Sequence, residues 1–179
     1  MSEKFGGEIR KAGWEAPHAE TFEDSVRSIE SAMQILQGIK EFLVRHGAPL
    51  DGGQCVLEVG SGKGYLLQAL RKENIDVVGV DARPRDVESG RLVGARIEQL
   101  PFANESFDTV LSEGVFAENV YVQDQEKMLA EIARVLKKGG VFLRAGVSEF
   151  NATARPYVAG LQLVSGPLRK YGLNLYRKG

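Results

Sequence analysis

The sequence predicts an α/β chain built on a doubly wound, mostly parallel sheet, and three observations carry that prediction. The first is Val56 to Leu70, VLEVGSGKGYLLQAL. Val56 to Val59 has the character of a buried strand, Gly60, Gly62 and Gly64 punctuate a turn, and Leu66, Leu67 and Leu70 then recur at helical spacing. Strand, glycine turn and helix together open a nucleotide-binding unit. The second is Asp76 to Val80, DVVGV, a strand ending at Asp81, about 20 residues past the turn, where a carboxylate is placed to accept hydrogen bonds from ribose hydroxyls. The third is the continuing alternation of strand and helix, closed by two strands with no helix between them. Seven strands result, with helices on both faces and the last strand antiparallel.

The elements follow in order. Met1 to Glu20 holds Gly6, Gly7, Gly13 and Pro17 without periodicity and reads as an arm, with Trp14 and His18 inside it. Residues 21–179 read as a single core domain. Thr21 to His46 reads as one long helix with Thr21 as N-cap. Its apolar stripe is Val26, Ile29, Met33, Leu36 and Leu43, widened by Ile35, Ile39 and Phe42. Gly47 stops it, and His46 meets the negative helix end. The stripe is broad enough to pack on the sheet and leave surface for a lid or a second copy of the chain, so a homodimer is an open expectation.

Pro84 to Gly90 allows one or two helical turns, and the third strand lies around Leu92 to Arg96. The fourth is Phe107 to Ser112. Gln125 to Lys138 is an amphipathic helix with Met128, Leu129, Ile132, Val135 and Leu136 inward; Lys137 and Lys138 match its dipole, and Gly139-Gly140 ends it. The fifth strand begins at Val141. A short link from Arg144 to Gly160, with one small helix, leads to Leu161–Val164 and Tyr171–Tyr176, an antiparallel pair turning at Gly166-Pro167.

The glycine turn discriminates among ligands. A phosphate-gripping loop needs GxxxxGK and then Ser or Thr, but Gly64 follows Lys63, and Leu57 stands at the first glycine position. A dinucleotide fingerprint needs GxGxxG, and Tyr65 stands where its third glycine belongs, which disfavours an NAD-dependent reductase. Glu58 sits poorly beside a pyrophosphate and well beside a cation. A nucleoside without phosphate that carries positive charge fits, and S-adenosylmethionine is one.

Composition narrows the classes further. The chain has 179 residues, 23 basic and 24 acidic, and net charge −1, which leaves no electrostatic footprint for nucleic acid. The single cysteine, Cys55, opens the first strand and gives neither a disulfide framework nor metal-ligand spacing. No secretory signal is visible, and no apolar run reaches the roughly 18 residues of a membrane span. The expectation is a cytoplasmic protein without metal or membrane partner.

VLEVGSGKG, VVGVDAR, EQLPFANESFDTVLSEGVF and MLAEIARVLKKGGVFL, in that order, resemble four successive motifs of the class I S-adenosylmethionine-dependent methyltransferases. The resemblance is closest to the small-molecule branch with the LPF…SFD signature. It covers roughly Cys55 to Val147, and it implies a Rossmann-like fold with S-adenosylmethionine as cofactor. It also implies that Gly60, Ser61, Gly62 and Gly64 let the backbone approach the cofactor, with Glu58 offsetting positive charge. By the same likeness Asp81 binds the ribose, Ala82 adjoins the adenine, and Ile97 and Glu98 flank that ring. Ser112 and Glu113 lie near the methionine end or the acceptor. Arg96 departs from the acid that relatives carry there, and Arg83 is a candidate for stacking on adenine. Leu100-Pro101-Phe102 is read as a structural turn.

Methyl transfer from a sulfonium is an in-line displacement that asks the protein mainly for orientation and a dry pocket. A base is needed only for a nucleophile that holds its proton. Glu113 and His18 are weak candidates for that role, and Glu118 reads as a solvated loop carboxylate. Little chain is left over for a recognition domain, which favours a small-molecule acceptor. Residues 1–20 are either a packed anchor or a lid. The competing class is a non-catalytic S-adenosylmethionine-binding subunit or regulator that needs a partner.

Overall fold

The computed structural model describes residues 28–84, 91–116, 122–145, 157–168 and 173–179. The first strand, β1 (Cys55–Val59), is buried at all five positions. Cys55, Leu57 and Val59 enter one apolar cluster, while Val56 enters the other. A strand covered on both faces reads as an unbroken apolar run, as a central parallel strand must. Its neighbours are β2 (Asp76–Asp81) and β4 (Phe107–Glu113), both parallel to it. Outside these lie β3 (Leu92–Gly94), parallel to β2, and β5 (Leu136–Ala145), parallel to β4.

Two further strands, β7 (Leu161–Leu168) and β8 (Leu173–Lys178), complete the order β3-β2-β1-β4-β5-β8-β7. β8 is antiparallel to both β5 and β7, so six strands run one way and one runs against them. That is the architecture the sequence predicts. A two-residue strand that it does not predict, β6 (Tyr157–Val158), pairs with β7 at the sheet edge.

One face of the sheet is covered by α1 (Ile29–Arg45) and α2 (Tyr65–Lys72). Their Ala32, Leu36, Ile39, Leu43, Leu66, Leu67 and Leu70 pack on Val56, Val77 and Leu111. The other face is covered by α3 (Val122–Val135), through Met128, Ile132 and Ala133. No helix among the described residues is long and apolar enough to cross a membrane.

The structure corrects several boundaries. Helix α1 begins at Ile29, not Thr21, because Ser28 is extended at φ −156° and caps it. Ser28 Oγ accepts from the Ser31 N–H at 3.1 Å while Ser31 Oγ accepts from the Ser28 N–H at 3.0 Å, a reciprocal capping box. Thr21 and Val26 lie outside the described residues, as do the arm, 85–90 of the proposed helical turns, and 146–156 of the link. At the other end Gly47 is left-handed at φ +66°, and His46 holds the Phe42 carbonyl oxygen at 2.8 Å, as a helix stop requires.

Helix α3 starts three residues earlier than expected, at Val122, and ends at Val135. Leu136 is already strand, so Lys137 and Lys138 belong to β5 and not to a helix terminus. The reason is a bulge. Leu136 pairs with Phe107 and Val141 with Thr109, and the residues between arch out with Gly139 at φ +74°. Lys137 Nζ is held there by Asp108, at 2.8 and 2.9 Å from its two oxygens. Similarly, Gly166-Pro167 lies within β7, where the register shifts between Ser165 and Leu168, and is not the turn to β8. β3 is shorter than expected, ending at Gly94.

Candidate cofactor and acceptor site

The carboxyl ends of β1, β2 and β4 converge on the glycine turn, at the switch point of the sheet where open α/β folds bind ligands. Gly60, Gly62 and Gly64 all have positive φ, +75°, +52° and +72°. The turn is tied to β2 through the Val80 carbonyl oxygen, which accepts from Gly60 N at 2.7 Å and Ser61 N at 3.1 Å. A side chain on Gly60 would overlap Val115 Cγ2, so the loop after β4 closes against that bare backbone.

Gly79 also matters, and the sequence reading gave it no role. A Cβ there would stand 2.5 Å from Ser61 Oγ and 2.8 Å from Leu92 Cδ1. Its lack of a side chain lets the turn seat on β2. The signal was visible as the glycine inside VVGVD, since an isolated strand glycine marks a close approach.

Asp81 points into the turn. One carboxylate oxygen accepts from Gly62 N at 2.8 Å and the other from Arg83 N at 2.7 Å. Each oxygen keeps a further lone pair for a ligand. Ala82 and Arg83 are exposed beside it.

Glu58 lies behind the turn, 4% exposed, with Oε2 lacking a hydrogen-bond partner among the described residues. Its pKa is raised to about 8, first by burial and then by the negative charges of Glu113 and Asp81, against the lowering effect of the Ser61 side chain and the Leu67 backbone. A buried carboxyl group of this kind suits a cationic or hydrogen-bond-donating group.

The adenine-side segment is held from below. Ile97 and Glu98 lie in a 3₁₀ turn, Ile97–Gln99, with Ile97 buried. Glu98 Oε1 takes Arg96 Nη2 at 2.6 Å and Oε2 takes Arg96 Nε at 3.3 Å. Burial works to raise the Glu98 carboxyl, but the Arg96 bonds prevail and hold it below its usual value. The residue that departs from the family pattern is thus the partner of the acid next to it.

The LPF turn has a latch that the sequence reading missed. Arg134 on α3 donates to the carbonyl oxygens of Leu100 at 2.9 Å and Phe102 at 2.8 Å. Glu131 accepts from Leu100 N at 2.8 Å and from Arg134 Nε at 2.7 Å. Replacing Arg134 with methionine strands those carbonyls, and losing such charged hydrogen bonds costs about 1.5–3 kcal/mol. Urea denaturation of the variant is expected to show that loss; a change below about 0.5 kcal/mol, the range of ordinary surface substitutions, would remove the latch from the account.

Ser112 is 2% exposed, next to the turn in register with Val59, and its hydroxyl has no partner among the described residues. Glu113 follows it, half-buried at the end of β4. His18 and Glu118 lie outside the described residues. A separate polar cleft of about 290 Å³ opens at the opposite end of the sheet, at the amino ends of β1 and β4, by Gln54, Thr109 and Lys137. Lys137 there is the one already paired with Asp108, and the cleft is remote from the glycine turn.

A mainly parallel sheet, a left-handed glycine turn and a carboxylate bonded across it define a nucleoside-binding α/β protein. Residues 57–144 match the family model described as a methyltransferase domain. An uncharacterized methyltransferase of Mycobacterium leprae is 31% identical over 148 residues, covering 73% of this chain and 53% of the relative. A ubiquinone biosynthesis O-methyltransferase of Paramagnetospirillum magneticum is 36% identical over 132 residues, covering 66% of this chain and 50% of the relative. The chain therefore spans about half the length of these relatives. The crystal structure of the Burkholderia thailandensis 1,6-didemethyltoxoflavin-N1-methyltransferase superposes with TM-score 0.64 at 18% identity, over 83% of this chain and 79% of that one. The chain carries a methyltransferase domain over residues 57–144.

Proposed function

We propose that this chain binds S-adenosylmethionine and transfers its methyl group to a small-molecule acceptor. The observation that carries the proposal is the pairing of a side-chain-free turn with two carboxyl groups of different character. Asp81 is fixed beside the turn by the Gly62 and Arg83 N–H groups, and Glu58 is buried with an oxygen to spare. The residues fit a cationic adenosyl compound, beside which Glu58 ionises, better than a pyrophosphate, which would meet the Asp81 carboxylate.

In this reading Gly60, Ser61, Gly62 and Gly64 bring the main chain close to the cofactor. Asp81 accepts from both ribose hydroxyls, and Ala82, Ile97 and Glu98 border the adenine. Glu58 steadies the positive end, and Ser112 and Glu113 face the methionine end or the acceptor. When bound, the cofactor supplies an activated methyl group: its carbon–sulfur bond breaks with the electron pair going to sulfur, as a lone pair of the acceptor forms the new bond. The chain's contribution is orientation and exclusion of water. Two named methyltransferase relatives act within small-molecule chemistry by their descriptions, which supports an acceptor of that size. The direct test is incubation of the full chain with methyl-labelled S-adenosylmethionine and a metabolite extract, with mass identification of the labelled product. Labelled small molecules are expected; label on protein alone would overturn the acceptor class.

Glu58 gives this reading a pH signature. Its carboxyl group is raised to about 8 in the folded chain, so below that pH it is protonated until a cation arrives. Binding then releases a proton, and affinity for S-adenosylmethionine rises with pH toward about 8 and levels off above it. The ligand-free fold has the opposite trend. A raised acid binds protons more tightly when folded, so its stabilising contribution is complete below the ordinary 4.5 and is lost as pH climbs through about 8. Glu58→Gln is expected to flatten both profiles. Calorimetry and thermal melts across pH 6 to 9 check them, and unchanged slopes in the variant would exclude Glu58 as their source.

A further inference from the structure

Four of the five buried side-chain polar atoms that lack a partner among the described residues lie in one row: Ser112 Oγ, Arg144 Nε, and Asn174 Nδ2 and Oδ1. The fifth is Glu58 Oε2, on the cofactor side. Folded proteins leave few such atoms, because each buried polar group without a partner is costly. Their clustering in one row suits a polar ligand.

The row is built by strand register. Ser112 pairs with Arg144 across β4 and β5, and Arg144 with Asn174 across β5 and β8. Val110, Phe142 and Tyr176, each two residues away on its strand, all belong to the cluster on the α3 side, so the three polar residues share that face. Strands lie about 4.8 Å apart, so the row spans about 10 Å. Ser112 is also in register with Val59, the residue before Gly60. The row therefore starts beside the glycine turn and runs away from it across the carboxyl end of β5.

Three of the four atoms can donate a hydrogen bond: the Ser112 hydroxyl, Arg144 Nε and Asn174 Nδ2. Ser112 and Asn174 are 2% and 1% exposed. Arg144 spends one amino group on the Phe116 carbonyl oxygen at 2.7 Å, and its guanidinium lies 5.1 Å from the Phe116 ring centre. No carboxylate among the described residues pairs with it. The charges divide across the site: Asp81 and Glu113 gather at the turn, with Glu58 ready to ionise beside a cation, and among the described residues Arg144 is the cation on the acceptor side. Burial works against the Arg144 charge, and an anion in the row would offset that.

We infer that Ser112, Arg144 and Asn174 form the acceptor subsite and that it takes a small organic acid, whose carboxylate lies against Arg144 Nε and the Asn174 amide. A carboxylate supplies two acceptor oxygens in one plane, the geometry a guanidinium edge matches. Ser112 and the Asn174 oxygen are left for a hydroxyl or N–H group elsewhere on the acceptor. This rests on the methyltransferase reading above and adds the acceptor's charge and its holder.

The test uses the full chain saturated with S-adenosylhomocysteine and a panel of small aromatic and aliphatic carboxylic acids, each matched with its neutral primary amide, read by ligand-observed NMR. Acids are expected to bind at least tenfold more tightly than their amides, and that preference is expected to vanish in Arg144→Met while S-adenosylhomocysteine affinity stays. Absence of acid binding, equal binding of acids and amides, or a preference surviving in Arg144→Met would each overturn the inference. Failure of the by-product itself to bind would instead overturn the methyltransferase reading. Asn174→Leu separates a ligand site from a structural one without any ligand. An unsatisfied amide stabilises nothing, so the melting temperature of the ligand-free chain should hold or rise; a clear fall would make the row structural.

Discussion

Gly60→Ala is expected to weaken S-adenosylmethionine binding severely and to lower the stability of the fold. Two independent costs meet at this position. The backbone is left-handed at φ +75°, which costs a residue with a Cβ about 1–2 kcal/mol. The new methyl group also overlaps Val115 Cγ2, and Val115 is β-branched, so it has few rotamers to retreat into. Overpacking of this kind costs about 1–3 kcal/mol. Relief comes only by moving the turn or the Gly114–Phe116 loop, and both border the site. A loss of affinity of at least about a hundred-fold, equal to 2.8 kcal/mol, is expected by calorimetry. Adding Val115→Ala removes the overlap and leaves the dihedral strain, so the double variant should recover part of the stability. Wild-type affinity in Gly60→Ala would show that the turn does not touch the ligand.

Asp81→Ala is expected to weaken binding about ten- to hundred-fold, since charge-assisted hydrogen bonds contribute about 1.5–3 kcal/mol. The structure adds a second reason. The carboxylate also holds Gly62 N and Arg83 N, so the variant loosens the turn as well as the sugar contact. Asp81→Asn separates the two effects. It keeps the shape and one acceptor oxygen, but its amide N–H₂ faces the second backbone N–H. The loss should lie between wild type and alanine. Unchanged affinity in both variants would remove Asp81 from the site.

The strands and the turn were legible because parallel central strands announce themselves as apolar runs and positive φ selects glycine. VLEV, VVGV and FDTVLS needed no tertiary information. Legibility failed where a tertiary contact overrode a local signal. Lys137-Lys138 after an amphipathic run looks like a helix end, yet Asp108, distant in sequence, draws Lys137 into a strand bulge. Gly166-Pro167 looks like a turn, yet the β7–β8 register accommodates it as an irregularity. The cap of α1 is the reciprocal Ser28–Ser31 pair, which lacks the Glu or Gln that usually signals such a box.

The site was legible in the same uneven way. Glu58, Asp81 and the three glycines stand in motifs with fixed spacing, and the fold brings them together. Arg144 and Asn174 carry no motif. They meet only because β5 and β8 pair antiparallel in one particular register, which no local pattern encodes. The Arg134 and Glu131 latch was hidden for a related reason. Three residues apart on a helix, the two read as an ordinary surface ion pair, while their backbone partners at Leu100 and Phe102 are some thirty residues away.

The central claim is that the turn at Gly60 to Gly64, flanked by Glu58 and Asp81, holds a cationic adenosyl compound and not a dinucleotide. Parallel calorimetric titrations of the full chain with S-adenosylmethionine and with NADH test it most directly. Saturable binding of S-adenosylmethionine with no heat from NADH is the predicted result. Binding of NADH in the absence of any affinity for S-adenosylmethionine would contradict the account at its root.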